Sequence, residues 1–148
     1  MKNIFRLMLL IVLGVSINSH SQISNTNMLL TGTWVFDYDT SVDQLTSDKK
    51  AMLKTFSAEV VTGIEQAYKN RRLIFDSSGS YIQVSQDGRK TTGTWNFDAD
   101  KLVLQMTNST GELLELRVPR LTDKNLLLIP IEQGESTILI NQWYYTKL

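Results

Sequence analysis

The chain has 148 residues, with 15 lysines and arginines against 15 aspartates and glutamates, no cysteine and one histidine. Such an even mixture of charge leaves no electrostatic footprint for nucleic acid and no pull toward anionic lipid. With His20 the only histidine and no thiol anywhere, the chain beyond position 21 lacks the residues for Ser-His-Asp or Cys-His nucleophiles and for nearly all zinc and copper sites.

The first segment carries Lys2 and Arg6 ahead of an apolar run, Leu7 to Leu13, that ends in Ser19-His20-Ser21. A basic start, a short apolar stretch and small residues at −3 and −1 before Gln22 predict a cleaved secretory signal peptide over 1–21. The run is too short for a membrane span, and the absence of a following cysteine removes lipid anchoring through that residue. Export to the periplasm or beyond is the expectation, with no membrane span in the mature chain. Residues 22–28 read as a polar lead-in, and 29–148 as one domain. A chain of that size buries roughly two-thirds of the surface its unfolded form exposes, enough for a core without disulfides.

Trp34, Phe36 and Tyr38 alternate on one side of a strand expected over 31–38. Ser41 and Gln44 have capping-box spacing, and Thr46-Ser47-Asp48 offers a second helix start. Leu53, Phe56, Val60, Ile64 and Tyr68 then form one apolar stripe on a helix expected over 47–69, which Ser57 and Gly63 could divide.

Strand follows strand after that, near 71–76, 80–85, 90–97, 101–107, 112–119, 124–131 and 136–147. Ser77-Ser78-Gly79, Gln86-Asp87-Gly88 and Ser109-Thr110-Gly111 suit three-residue loops whose last position needs a positive φ, as does the bend at Gln133-Gly134. Those loops set Phe75 against Tyr81, Gln83 against Thr91, Tyr81 against Gly93, Met106 against Leu114 and Leu104 against Leu116. A two-residue Ala99-Asp100 turn would set Phe97 against Leu102 and Trp95 against Leu104. The last bend would set Leu128 against Ile138 and Leu126 against Ile140. One face then collects Leu73, Phe75, Tyr81, Trp95, Phe97, Leu102, Leu104, Met106, Leu114, Leu116, Val118, Leu126, Leu128, Ile138, Ile140 and Tyr144. The other receives Arg72, Gln105, Glu115 and Arg117, together with Ile74, Ile82, Val84 and Trp143. A turn pairing Gln86 across Asp87-Gly88 would instead bring Ile82 and Val84 inward. Pro130 sits awkwardly in a strand and marks a bulge or an edge. Eight antiparallel strands joined by tight hairpins, with a helical insertion between the first two, predict a mainly β chain closed into an up-and-down barrel.

The phrase Gly-Thr-Trp occurs twice, at Gly32-Thr33-Trp34 and Gly93-Thr94-Trp95. Each glycine precedes an inward tryptophan and leaves room for a neighbour, as the Tyr81–Gly93 pairing suggests, so Gly32, Trp34, Gly93 and Trp95 are read as structural, the tryptophans plugging one barrel end. Gly32-Thr33-Trp34 at the start of such a meander resembles the Gly-x-Trp motif of the lipocalins. With Phe75, Gly79, Tyr81 and the second Gly-Thr-Trp it is closer to bacterial secreted lipocalin-like domain proteins. The resemblance spans about residues 29–147 and implies a calycin-type barrel. Its helix falls early, as in fatty-acid-binding proteins, but Arg117 faces outward by parity, so the inward arginines of that family find no counterpart there.

These residues lead to one expected function and one alternative to it. The expected one is a non-enzymatic carrier that holds a small apolar or amphipathic ligand in the barrel, with Phe36, Phe56, Tyr68, Arg71, Phe75, Tyr81, Gln83 and Tyr144 as its candidate contacts. The other is a fully packed barrel serving as a structural or protein-interaction module, with Ile82, Val84 and Trp143 as an outward patch. No cofactor and no metal are expected. Asp37, Asp39, Asp98 and Asp100 read as turn residues rather than paired acid–base carboxylates, and Asn108-Ser109-Thr110 as turn chemistry.

Overall fold

The computed structural model describes residues 27–131 and 139–148. Its elements are β1 (Gly32–Phe36), α1 (Tyr38–Asp43), α2 (Ser47–Thr55), α3 (Ala58–Tyr68), β2 (Arg72–Phe75), β3 (Ser80–Val84), β4 (Lys90–Asp98), β5 (Val103–Asn108), β6 (Leu113–Leu121), β7 (Asn125–Pro130) and β8 (Trp143–Lys147). The strands close in sequence order into one antiparallel barrel, β8 pairing back on β1 through Phe36 opposite Tyr145 and Trp34 opposite Lys147. The expected signal peptide and most of the polar lead-in lie outside the described residues, as do Gln133-Gly134 and Ile138.

Three glycine loops set their strands as expected. Gly79, Gly88 and Gly111 have φ of 87°, 82° and 86°, in the left-handed region where a side chain is strained. Phe75 stands opposite Tyr81, Tyr81 opposite Gly93 and Gln83 opposite Thr91, so the Gln86-paired alternative is not adopted. Met106 faces Leu114 and Leu104 faces Leu116. On the outer surface of that hairpin the Gln105 amide donates to Glu115 at 2.9 Å. Asn108 builds the next turn, its side-chain oxygen accepting from the amides of Thr110 and Glu112 at 3.0 and 2.9 Å.

Elsewhere the chain departs from the expectation. Strand β1 stops at Phe36 because Asp37 caps a helix, its carboxylate accepting from the Thr40 amide at 3.0 Å. Tyr38 therefore opens α1 instead of continuing the strand, and Ser41 lies inside that helix. Ser41 is fully buried because it extends the hydrogen bonding of β8: its hydroxyl accepts from the Tyr144 amide at 3.0 Å and donates to the Asp37 carbonyl at 2.6 Å. The single helix expected over 47–69 divides at Phe56, with Thr46 and Ser57 as separate N-caps.

Asp98 ends β4 by accepting from the amides of Asp100 and Lys101, which makes the turn longer than two residues. Phe97 consequently faces Leu104, Trp95 faces Met106, and Leu102 is half-exposed with φ of 53°. The shift is even, so every other inward side chain of the hairpin keeps its face. In the closing pair Leu126 faces Tyr145 and Leu128 faces Trp143. That is an odd shift from the expected register, so Tyr144 points outward and Trp143 and Tyr145 point inward. The register irregularity falls between Arg117 and Arg120, while Pro130 ends β7.

The core is the barrel interior. Trp34, Leu104, Leu116 and Leu128 are fully buried, with Leu73, Phe75, Phe97, Met106, Val118, Leu126 and Tyr145 almost so. Leu30 joins them from a helical turn over 27–30, and Ile140 from the approach to β8.

Candidate functional site

The two ends of the barrel are built differently. At one, where Gly32 stands opposite Phe75, Trp34 donates its indole N–H to the Leu30 carbonyl at 2.7 Å. Lys147 lies over the Trp34 ring, its ammonium 5.0 Å from the centroid and donating to the Leu29 carbonyl at 2.8 Å. Trp95 packs edge-on against Phe75 at 5.5 Å and donates its indole N–H to the Asp76 carbonyl at 3.1 Å. Each indole N–H is satisfied, as burial of a donor requires.

The two glycines of the repeated phrase serve different purposes. A Cβ on Gly93 would stand 2.0 Å from the Thr107 carbonyl oxygen and 2.7 Å from the Tyr81 ring, so the close approach expected for Tyr81 is real. Gly32 instead has φ of 128° and lies under the Lys147 stem, with no aromatic neighbour at that point.

The opposite rim is where β1 gives way to α1 and where α3 leads into β2. Asn70, in the left-handed region with φ of 60°, turns the chain after α3. Arg71 then hands its carbonyl to the Phe36 amide at 2.8 Å. Its guanidinium carbon lies 4.9 Å from the Phe36 ring centroid and 4.8 Å from those of Tyr68 and Trp143. One terminal nitrogen donates to the Tyr145 hydroxyl at 3.1 Å. The Arg71 Nε is buried without a hydrogen-bond partner among the described residues. No carboxylate among those residues is within ion-pair distance of it; the neighbouring cation Lys69 is held by Glu65 at 2.7 Å.

Burial pushes the Tyr145 hydroxyl above the ordinary tyrosine value, against the downward pull of the Arg71 charge and hydrogen bond. Tyr145 is therefore a neutral phenol that accepts from the guanidinium and keeps its own proton. Phe36 completes the floor, 5.2 Å from Tyr145 edge-on and 5.4 Å from Tyr68. The assembly is a single positive charge in an aromatic surround, a setting where cation–π attraction is strengthened by partial exclusion of water.

Of the eight candidate contacts, the structure joins Phe36, Tyr68 and Arg71. Phe75 belongs to the other end, and Tyr81 lies against Gly93 in the wall. Gln83 and Phe56 are half-buried, and neither a ring contact nor a hydrogen bond links them to Arg71. Tyr144 is outward, bonding Gln142 at 3.1 Å. Trp143 and Tyr145 are site residues that sequence reasoning misses: it puts Trp143 in an outward patch, whereas Trp143 packs against the core beside Arg71, and it selects Tyr144 in place of Tyr145. Their alternation matches that of Trp34 and Phe36, but only the barrel's closure decides which of Tyr144 and Tyr145 faces in.

Surface clefts among the described residues include two of note. One of about 300 Å³ lies between α1 and strands β7–β8, lined by Asp37, Thr40, Gln44, Arg120 and Tyr144 among others. One of about 450 Å³ lies beside Asp123, Lys124 and Leu148. The smaller cleft also reaches Leu126 and Tyr145 of the core, while Trp95, Leu104, Leu116 and Leu128 line neither. Among the described residues no three His, Cys, Asp or Glu side chains converge as a metal site would need, and no helix is long and apolar enough to cross a membrane.

No family model matches the chain, and no curated protein is similar to it. Its fold is similar to that of a DUF4847 family protein from Bacteroides vulgatus, solved by crystallography. The two superpose with a TM-score of 0.51 at 13% identity, over 83% of this chain and 96% of that one. The likeness is one of fold.

Proposed function

We propose that the chain is an exported, non-enzymatic, lipocalin-like barrel module whose interior is a packing core and whose recognition surface is the rim around Arg71. The observation that carries this reading is the burial of the interior: Trp34, Leu104, Leu116 and Leu128 are each 0% exposed, and Phe75, Phe97 and Tyr145 are 5% exposed or less. An eight-stranded barrel is narrow enough for side chains alone to fill it. Recognition then falls to surface groups, and Arg71 is the one cation among the described residues held in an aromatic surround of three rings.

A second reading, a carrier that loads its interior when its helices lift, is favoured by one feature. Neither α2 nor α3 contains a buried residue, and only Ile64 and Tyr68 of the two helices pack on the core. Titration with a neutral apolar fluorophore such as N-phenyl-1-naphthylamine separates the two. A filled barrel gives no saturable uptake, whereas stoichiometric uptake abolished by enlarging Leu104 or Leu116 would establish the carrier. Export is checked by expressing the full chain in a bacterium, where the mature protein is expected outside the cytoplasm with Gln22 as its first residue.

A further inference from the structure

We infer that the Arg71 rim is a binding site for an organic carboxylate carried on an apolar or aromatic body. The inference deepens the reading above, resting on it for the location of recognition. Three properties of the site converge on that ligand class.

The first is charge. Arg71 is a partly buried guanidinium with no carboxylate partner among the described residues, and its only hydrogen bond there is to a neutral phenol, at 3.1 Å. A guanidinium has five N–H donors in a planar fork that matches a carboxylate. Among the described residues the guanidinium has donors to spare and no anion facing it.

The second is valence. Of the cations nearest in the chain, Lys69 is already neutralised by Glu65 at 2.7 Å, and Arg72 is exposed at the start of β2, away from the buried rings. A single uncompensated positive charge suits a monoanion. A dianion such as a phosphate monoester would bring a second negative charge into a ring-lined setting, where a charge without a partner is costly.

The third is the wall. Phe36, Tyr68 and Trp143 present ring faces within 4.9 Å of the guanidinium carbon, and Ile64 packs against the core beside Tyr68. Phe36 is already buried beneath the guanidinium, so the surface left for the body attached to the carboxylate is that of the partly buried Ile64, Tyr68 and Trp143, which an apolar group covers with release of water. The Tyr145 hydroxyl, kept protonated by its burial, can turn from accepting the arginine's hydrogen bond to donating one to the same carboxylate.

The test is calorimetric titration of the full mature chain with 4-phenylbutyrate, its neutral analogue 4-phenylbutanol, and phenyl phosphate. The expected result is saturable binding of 4-phenylbutyrate, weakened roughly ten- to a hundred-fold in Arg71→Met, as loss of a charge-assisted hydrogen bond implies. Arg71→Lys is expected to fall between, since it keeps the charge without the fork. Tyr145→Phe keeps the ring packing and serves as the check that folding is intact; its affinity is expected to fall several-fold. The alcohol is expected to bind at least about ten-fold more weakly than the acid.

Equal binding of acid and alcohol, or unchanged affinity in Arg71→Met, would overturn the inference, as would preference for phenyl phosphate. Glu132 and Glu135, in the connection between β7 and β8, supply one more outcome: binding that emerges only in Glu132→Gln/Glu135→Gln would mean that the chain's own carboxylate occupies Arg71, and the inference would fall. Uptake of the neutral naphthylamine by the interior is a separate result, which defeats the packed-barrel reading whatever 4-phenylbutyrate does.

Discussion

Both ends of this barrel set a cation over aromatic rings, and only one end completes it. At the Trp34 end the Lys147 ammonium finds the Leu29 carbonyl at 2.8 Å while resting 5.0 Å above the indole. At the Arg71 end three rings surround the guanidinium, yet its Nε has no partner among the described residues. The same residue types thus make a finished seal in one place and an unfinished one in the other. A buried donor left without an acceptor carries a cost of about 1–3 kcal/mol. Among the described residues that cost is left standing at the rim, beside α2 and α3, which bury none of their own residues, and the carboxylate proposal rests on it.

The comparison can be broken first at the sealed end. Trp34→Ala removes a fully buried indole and its bond to Leu30, and is expected to cost about 3–5 kcal/mol in chemical denaturation. A loss below about 1 kcal/mol would show that this end is not a seal. Next is the wall between the ends. Gly93→Ala drives a Cβ toward the Thr107 carbonyl oxygen, backbone that cannot step aside, and is expected to cost about 2–3 kcal/mol. Gly32→Ala meets only the flexible Lys147 stem, although its φ of 128° adds backbone strain, so it should cost less than Gly93→Ala.

At the rim, Tyr145→Phe is expected to cost about 1 kcal/mol near neutral pH, with a distinct pH signature. Burial raises the Tyr145 hydroxyl above its ordinary value, so above about pH 10 the unfolded chain releases a proton that the folded chain retains. The stability linked to this group is therefore intact below about pH 10 and falls as pH rises from there. Denaturation midpoints measured from pH 8 to 11 should decline less steeply in Tyr145→Phe than in the natural chain. Parallel declines would show that Tyr145 does not stay protonated in the fold. Smallest of all is the helical cover: Gly63 in α3 has nothing within 4 Å of the place a Cβ would take, so Gly63→Ala should stabilise by roughly 0.5–1 kcal/mol.

How much of this is legible in the sequence follows from how errors propagate along strands. The glycines at 79, 88 and 111 set their registers because a left-handed position in a short loop leaves few alternatives. The turn after Phe97 differs from its expected form by an even number of residues, so Leu104, Met106 and Leu116 still face inward as expected. The last hairpin differs by an odd number, and that alone exchanges Tyr144 for Tyr145 and turns Trp143 around. The partners of Leu126 and Leu128 lie farther along the chain than the expected Ile140 and Ile138.

The site suffers for the same reason. Arg71, Phe36 and Tyr68 are recognisable because local pattern places them: a stripe position at the end of α3, a residue just before β2, and an alternating residue in β1. Trp143 and Tyr145 reach them only through closure of β8 on β1, a pairing between distant segments that no local periodicity encodes. The early strand end at Phe36 is hidden for a different reason. Asp37 is as good an N-cap as a turn residue, and the capping-box spacing at Ser41 draws attention one helical turn too late.

Diffraction from a crystal held under xenon pressure examines the packed interior most directly, because xenon enters apolar voids and needs no polar partner. The account predicts no xenon site among Trp95, Leu104, Leu116 and Leu128. A well-occupied xenon atom enclosed by those side chains would contradict it and return the barrel to the role of a container.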